Sequence, residues 1–197
     1  MSAALDRAVA ALAEGKVIIL TGDRLRGGDI DFAVAAKHAT AEAVNFMAMH
    51  GKGLICLALT PTRALRLGIS LINPGSDRQS GRPHGRSIEA RTGVSTGISA
   101  ADRARTIAVA IDPASSGDDL VSPGHVFPLI AAAGGVEERP AALEASIELV
   151  RRAGAGDAAV ICSIMREDGE MARLEDLSDL IAQHDLAVVD IADLLGA

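Results

Sequence analysis

Tryptophan and tyrosine are absent, and three phenylalanines are the only large aromatic side chains among 197 residues. Platforms for stacking nucleobases are therefore missing. Positive charge is in deficit as well: 19 Lys and Arg face 26 Asp and Glu, a formal net charge of −7. That balance argues against nucleic acid and anionic membrane surfaces as partners. Cysteine is scarce. Cys56 and Cys162 sit in the apolar runs GLICLAL and AAVICSI, which predicts two buried free thiols in a reducing compartment and no disulfide framework. No apolar run approaches the roughly 18 residues of a membrane span. The opening residues MSAALDRAVAALAEGK carry charges inside their apolar pattern, which predicts no signal peptide. The expectation is a cytoplasmic protein.

Apolar residues are plentiful, at 49% of the chain, which excludes a disordered polymer. The length suits a single domain over 1–197 with a sizeable core. Apolar periodicity predicts helices over 3–14, 41–50, from Pro61, and over 100–111, 141–153 and 175–184. Short apolar runs predict strands at Val17–Leu20, Ile30–Ala36, Leu54–Leu59, His125–Ala132, Ala158–Met165 and Leu186–Ile191. Strands alternating with helices point to an α/β fold with a mixed or parallel sheet. Residues 73–97 are rich in Gly, Ser, Pro and Arg and read as a long loop, a kind of segment that is usually functional in a compact domain. Pro113–Pro123 reads as a turn-rich link.

Four segments hold candidate chemistry. In SPGHVFPL, Pro and Gly restrict His125, as suits a metal ligand or a proton carrier; a His capping a strand end is the plainer alternative. Glu144 borders the apolar face formed by Leu143, Ile147 and Val150, where burial would raise a carboxyl and fit it for acid or base work. A solvated first-turn Glu is the alternative. In TGVSTGISAADRART, Ser95, Thr96 and Ser99 lead into a helix start that could cradle an anion, although Ser99 and Asp102 also read as ordinary capping. Arg78, Arg82, Arg86 and Arg91 surround His84. Arg82 and Arg86 are candidates for binding an anionic substrate from a loop that Gly75, Gly81 and Gly85 leave free to close.

These segments together resemble the 3,4-dihydroxy-2-butanone 4-phosphate synthase family of riboflavin biosynthesis. The likeness runs through GDIDFAVAAKHAT, VNFMAMHGKGLICLALTPTRALRLG, TGVSTGISAADRARTI, SPGHVFPL, GGVEERP, LEASIELVRRAG and AVICSIMREDGEMARLEDL. It implies a three-layer α/β sandwich with a mixed twisted sheet. It also implies a homodimer with sites near the subunit interface. The family reaction takes ribulose 5-phosphate, with Mg²⁺, to a butanone phosphate and formate. Carried over, the resemblance makes His125, Glu144 and Asp29 catalytic, His125 the metal ligand, and Arg24, Ser95, Thr96, Gly124 and Val126 substrate-binding.

The family's acidic loop Asp-Arg-Glu-Asn-Glu-Gly-Asp reads here Asp23-Arg24-Leu25-Arg26-Gly27-Gly28-Asp29. Leu25 stands where a Glu should ligate Mg²⁺, and Arg26 adds a fixed positive charge. A hard cation needs anionic oxygens, so the expectation is a weak or absent metal site and no required cofactor, Mg²⁺ remaining possible if the family chemistry is kept. Three functions stay open. One is a divergent enzyme recruited to another pathway, acting by acid–base chemistry on a small anionic polyhydroxy or carbonyl substrate. The others are a genuine 3,4-dihydroxy-2-butanone 4-phosphate synthase and a non-catalytic paralogue.

Overall fold

The structure is a computed structural model describing residues 2–73 and 83–195. Its helices are α1 (Ala3–Ala13), α2 (Ala41–Gly51), α3 (Pro61–Arg66), α4 (Ala100–Ile111), α5 (Gly135–Glu138), α6 (Ala142–Arg152) and α7 (Ser178–His184). The strands are β1 (Ile18–Asp23), β2 (Asp29–Ala35), β3 (Cys56–Leu59), β4 (Ile88–Ala90), β5 (Leu120–Ile130), β6 (Ala159–Ser163) and β7 (Ala187–Asp190). They form one seven-stranded sheet in the order β4-β5-β3-β6-β2-β1-β7. The β1–β7 and β3–β5 pairs are parallel and the other pairs antiparallel, so the sheet is mixed.

Both faces are covered, which explains why the strands read as continuous apolar runs. Ile19, Phe32, Val34, Leu57, Val160 and Cys162 point to one side and pack with Val44, Met47 and Ile107 of α2 and α4. Their neighbours Ile18, Leu20, Ala33, Cys56 and Ile161 point to the other side, against Leu5 and Leu12 of α1 and Leu143 and Ile147 of α6. The period of two in the strands and of about 3.6 in the helices yields three layers. Both cysteines are buried and form no disulfide. No helix among the described residues is long and apolar enough to cross a membrane.

Side-chain caps set most helix starts. Ser2, Thr40, Thr60 and Ser99 accept from backbone N–H groups at the starts of α1, α2, α3 and α4, and Pro61 occupies the first turn of α3, as its missing N–H allows. Helix α6 has no local side-chain cap. Asp23, at the end of β1, accepts from Ala142 N–H at 3.0 Å instead, and so ties the acidic loop to the helix that carries Glu144.

Three expectations need correction. The supposed loop over 73–97 contains β4 and a bridge from His84 to Leu129; β4 is only three residues long and gains its pairing from β5, so local periodicity does not reveal it. Strand β5 begins at Leu120, inside the expected link. Its ladder with β4 jumps from Glu89↔Val121 to Ile88↔Val126, which leaves Ser122–His125 as a bulge that tolerates Pro123. The last helix is preceded by a 3-10 turn over Leu174–Leu177, and α7 starts three residues later than the spacing predicts.

Candidate active site

The sequence candidates fall into three groups. The first is the turn between β1 and β2. Gly27 and Gly28 follow a single 3-10 turn with φ of 69° and 82°, a left-handed pair that side chains with a Cβ disfavour. This reversal sets Asp23 opposite Asp29. Arg26 folds back into the turn. Its guanidinium contacts Asp31 Oδ2 at 2.7 Å, Asp29 Oδ2 at 2.8 Å and Ser163 Oγ at 3.1 Å, with Asp23 Oδ2 at 3.8 Å. Ser163 Oγ donates to Asp31 Oδ1 at 2.9 Å. Arg24 is exposed, as is Leu25 at 44%.

The second group surrounds Glu144, which is 1% exposed. Its Oε1 accepts from Ala132 N–H and Arg139 Nε, each at 2.8 Å, and from Arg139 Nη2. Its Oε2 is buried with no hydrogen-bond partner among the described residues. Burial pushes the Glu144 carboxyl above its ordinary value, while Arg139 and the Ala132 N–H pull it down. A cavity of about 180 Å³ opens beside it, bounded by Thr60, Thr62, Ala132, Glu148 and Arg151. Glu144 is therefore not the solvated first-turn Glu of the plainer alternative.

The third group lies at the β4–β5 edge. His125 Nδ1 is 2.6 Å from Glu89 Oε2. An ionised carboxylate only accepts, so Nδ1 donates in this pair and Nε2 is the ring nitrogen that Glu89 does not engage. Gly97 supports Glu89 from behind: with φ of 84°, a Cβ there would overlap the carboxylate. The Gly97 loop is fastened to α4, because Asp102 accepts from Ser95 N–H at 3.1 Å, Ser95 Oγ at 2.8 Å and Gly97 N–H at 3.0 Å. These hydrogen bonds, led by Ser95, hold the Asp102 carboxyl below its ordinary range. Gly97→Ala is expected to displace Glu89 and free the His125 ring. Proton NMR should show the His125 ring signals moving, and unchanged signals would contradict the pairing.

Register places His125 two residues before the Phe127↔Cys56 pair, and Ser163 two after the Ile161↔Cys56 pair. Asp31 pairs with Ser163. His125, Ser163 and Asp31 therefore share one row across the sheet. Three strand spacings of about 4.8 Å separate the first from the last, roughly 14 Å. The structure brings Asp29 close to Asp23 and links that loop to α6, but no hydrogen bond among the described residues joins His125 to Glu144 or Asp29.

Other expectations change in detail. Val126, read as substrate-binding, is 1% exposed in the core, because it pairs with Ile88 and faces α4. Gly124 is a packing glycine: a Cβ there would collide with the Ile88 backbone. The Ser95 hydroxyl is engaged by Asp102, whereas Thr96 and Arg86 are exposed. Arg78, Arg82, Gly75 and Gly81 lie outside the described residues. Glu89, Arg139, Asp31 and Ser163 escaped the sequence reading. For Glu89 a signal existed, since Ile88 and Ala90 flank it in strand-like alternation.

The Mg²⁺ that the family resemblance implies does not fit the residues present. Asp29 and Asp31 are turned onto Arg26, His125 onto Glu89, and Leu25 brings no oxygen. No three His, Cys, Asp or Glu side chains among the described residues are placed to share a metal.

Fold and site together define a three-layer α/β protein whose carboxylates, guanidinium groups and histidine gather at strand ends and helix starts, as suits a small polar ligand. The 3,4-dihydroxy-2-butanone 4-phosphate synthase family matches residues 6–197, and the chain belongs to that family. It is 45% identical over 193 residues to the riboflavin biosynthesis protein RibBA of Aquifex aeolicus, covering 97% of this chain and 48% of the relative. It is 44% identical over 182 residues to a 3,4-dihydroxy-2-butanone 4-phosphate synthase of Pseudomonas syringae, covering 92% and 49%. The chain thus spans about half the length of the curated relatives it matches. The two-domain synthase RibBX of A. baumannii superposes with a TM-score of 0.89 at 40% identity, over 96% of this chain and 56% of that one. A synthase solved in complex with two magnesium ions superposes with a TM-score of 0.90 at 32% identity, over 97% and 94%.

Proposed function

We propose that the chain acts as a 3,4-dihydroxy-2-butanone 4-phosphate synthase in riboflavin biosynthesis, converting ribulose 5-phosphate to a butanone phosphate and formate. The observation that carries this reading is 45% identity to a riboflavin biosynthesis protein over 97% of the chain. The chain's own groups suit parts of that chemistry. Glu144 has a buried oxygen with no hydrogen-bond partner among the described residues and a carboxyl raised by burial, which suits it to hold a proton that an exposed carboxylate would release. Glu89 fixes the His125 ring through Nδ1 and leaves Nε2 for substrate or solvent. Exposed Arg24 and Arg86 can engage a phosphate by charge-assisted hydrogen bonds.

The roughly 14 Å across the sheet favours a site completed by a second copy of the chain. Leu54 at 54% exposure, Ile98 at 54% and Val121 at 38% leave apolar surface beside His125 and Glu89, in keeping with a homodimer that covers it.

One observation favours a second reading. With Arg26 filling the acidic loop, the scaffold would serve acid–base chemistry on a different small anionic polyhydroxy or carbonyl substrate. Carbon-13 NMR on labelled ribulose 5-phosphate separates the two. The first reading expects labelled formate. Calorimetric binding of ribulose 5-phosphate with no formate, with and without added Mg²⁺, would reject it in favour of the second.

A further inference from the structure

Arg26 is only 10% exposed and meets Asp31, which is fully buried, Asp23 at 2% and Asp29 at 18% side-chain exposure. We propose that the Arg26 guanidinium stands in the place of a divalent cation in this loop, so that the chain orders its carboxylates with an internal cation and excludes metal ions.

Three observations carry this. Geometry is the first. Nη1 and Nη2 make separate contacts to Asp31 and Asp29 at 2.7 and 2.8 Å, and Nη2 also reaches Ser163. A guanidinium presents its donors in a planar fork, so one group can hold carboxylates from two directions. Asp31 Oδ2 and Asp29 Oδ2 are thereby occupied by N–H donors.

Charge balance is the second. Asp23, Asp29 and Asp31 bring three negative charges. Arg26 brings a positive charge into contact with all three, and Arg173 adds a second at the turn, where its Nη1 donates to Gly28 O at 3.2 Å. The α6 N-terminus adds partial positive charge where Ala142 N–H meets Asp23. A hard divalent cation needs anionic oxygens free to coordinate it, and here Asp29 Oδ2 and Asp31 Oδ2 accept from Arg26 instead.

Coordination is the third. Leu25 is 44% exposed and carries no side-chain oxygen. Gly27 holds φ at 69°, a conformation that strains any residue with a Cβ, so no side-chain oxygen comes from there either.

The test reads metal binding directly, without substrate, so failure of the proposed reaction would leave it intact and the reverse also holds. Free Mn²⁺ is followed by electron paramagnetic resonance during titration of the wild-type chain, Leu25→Glu, Arg26→Gln and the double variant. The wild-type chain is expected to show no saturable binding below about 1 mM, the weak end of carboxylate sites. Leu25→Glu alone should stay weak, since Arg26 remains. The double variant should bind at least about tenfold tighter than Leu25→Glu. Wild-type binding tighter than about 0.1 mM overturns the proposal. So does a folded double variant that gains nothing over Leu25→Glu. The wild-type thermal midpoint is expected to be the same in excess Mg²⁺ and in chelator, and a clear rise with Mg²⁺ overturns the proposal even if the double variant does not fold.

Discussion

Replacing Glu144 by Ala is expected to destabilise the fold by about 3 kcal/mol, because it strips a paired charge from Arg139. The carboxylate is 1% exposed and its Oε1 gathers two Arg139 donors and the Ala132 N–H. Without it, the guanidinium and a backbone donor lose their acceptor. Arg139 retains 23% side-chain exposure, so water partly replaces the loss and the effect falls at the low end of the range for broken buried pairs. For a chain of this size that corresponds to a thermal midpoint lower by roughly 6–12 °C. Calorimetry checks it, and a shift under about 2 °C would show the pair to be idle.

The same residue predicts a pH dependence. Burial raises the folded-state Glu144 value above the ordinary one, so the folded chain binds the proton more tightly than the unfolded chain. Its contribution to stability therefore declines as pH rises from the ordinary carboxylate value through the raised one, then levels off. Glu144→Ala should remove that slope.

Arg26→Leu is expected to cost more, about 3–5 kcal/mol, because it leaves Asp31 and Asp23 buried without their counter-charge. The cost should be cancelled in large part by Arg26→Leu combined with Asp31→Leu, since removing both partners removes the uncompensated charge. Chemical denaturation of the two single variants and the double variant gives the coupling. Additive losses, within about 0.5 kcal/mol, would show that the Arg26–Asp31 contact carries no energy of its own.

Arg26 also links stability to site chemistry. The cluster it gathers is joined through Asp23 to the start of α6, two residues before Glu144. A variant that loosens the loop should therefore be read for changes at Glu144 as well as for lost folding energy.

Much of the architecture is written in the order of residues. Ser99 before the α4 pattern, Thr60 followed by Pro61, and continuous apolar runs such as AAVICSI fix helix starts and buried strands by local chemistry alone. The family resemblance rests on such runs, and a match over residues 6–197 carries it. Leu25 and Arg26 were legible too, as a departure of charge from an acidic loop.

Contacts between distant residues were decided only by the tertiary structure. Glu89 meets His125 across 36 positions, Ser163 meets Asp31 across 132, and Asp23 caps a helix 119 residues away. Strand β4 exists only because β5 offers it a ladder. Whether His125, Glu144 and Asp29 share a site is likewise a tertiary matter: Asp23 ties the loop of Asp29 to the helix of Glu144, and no hydrogen bond among the described residues joins His125 to either. Sequence patterns report the period of a helix or strand and the residue at its cap, because those are set within a few residues. Which carboxylate meets which cation depends on strand order and register, and these are set by how the whole sheet packs its two faces.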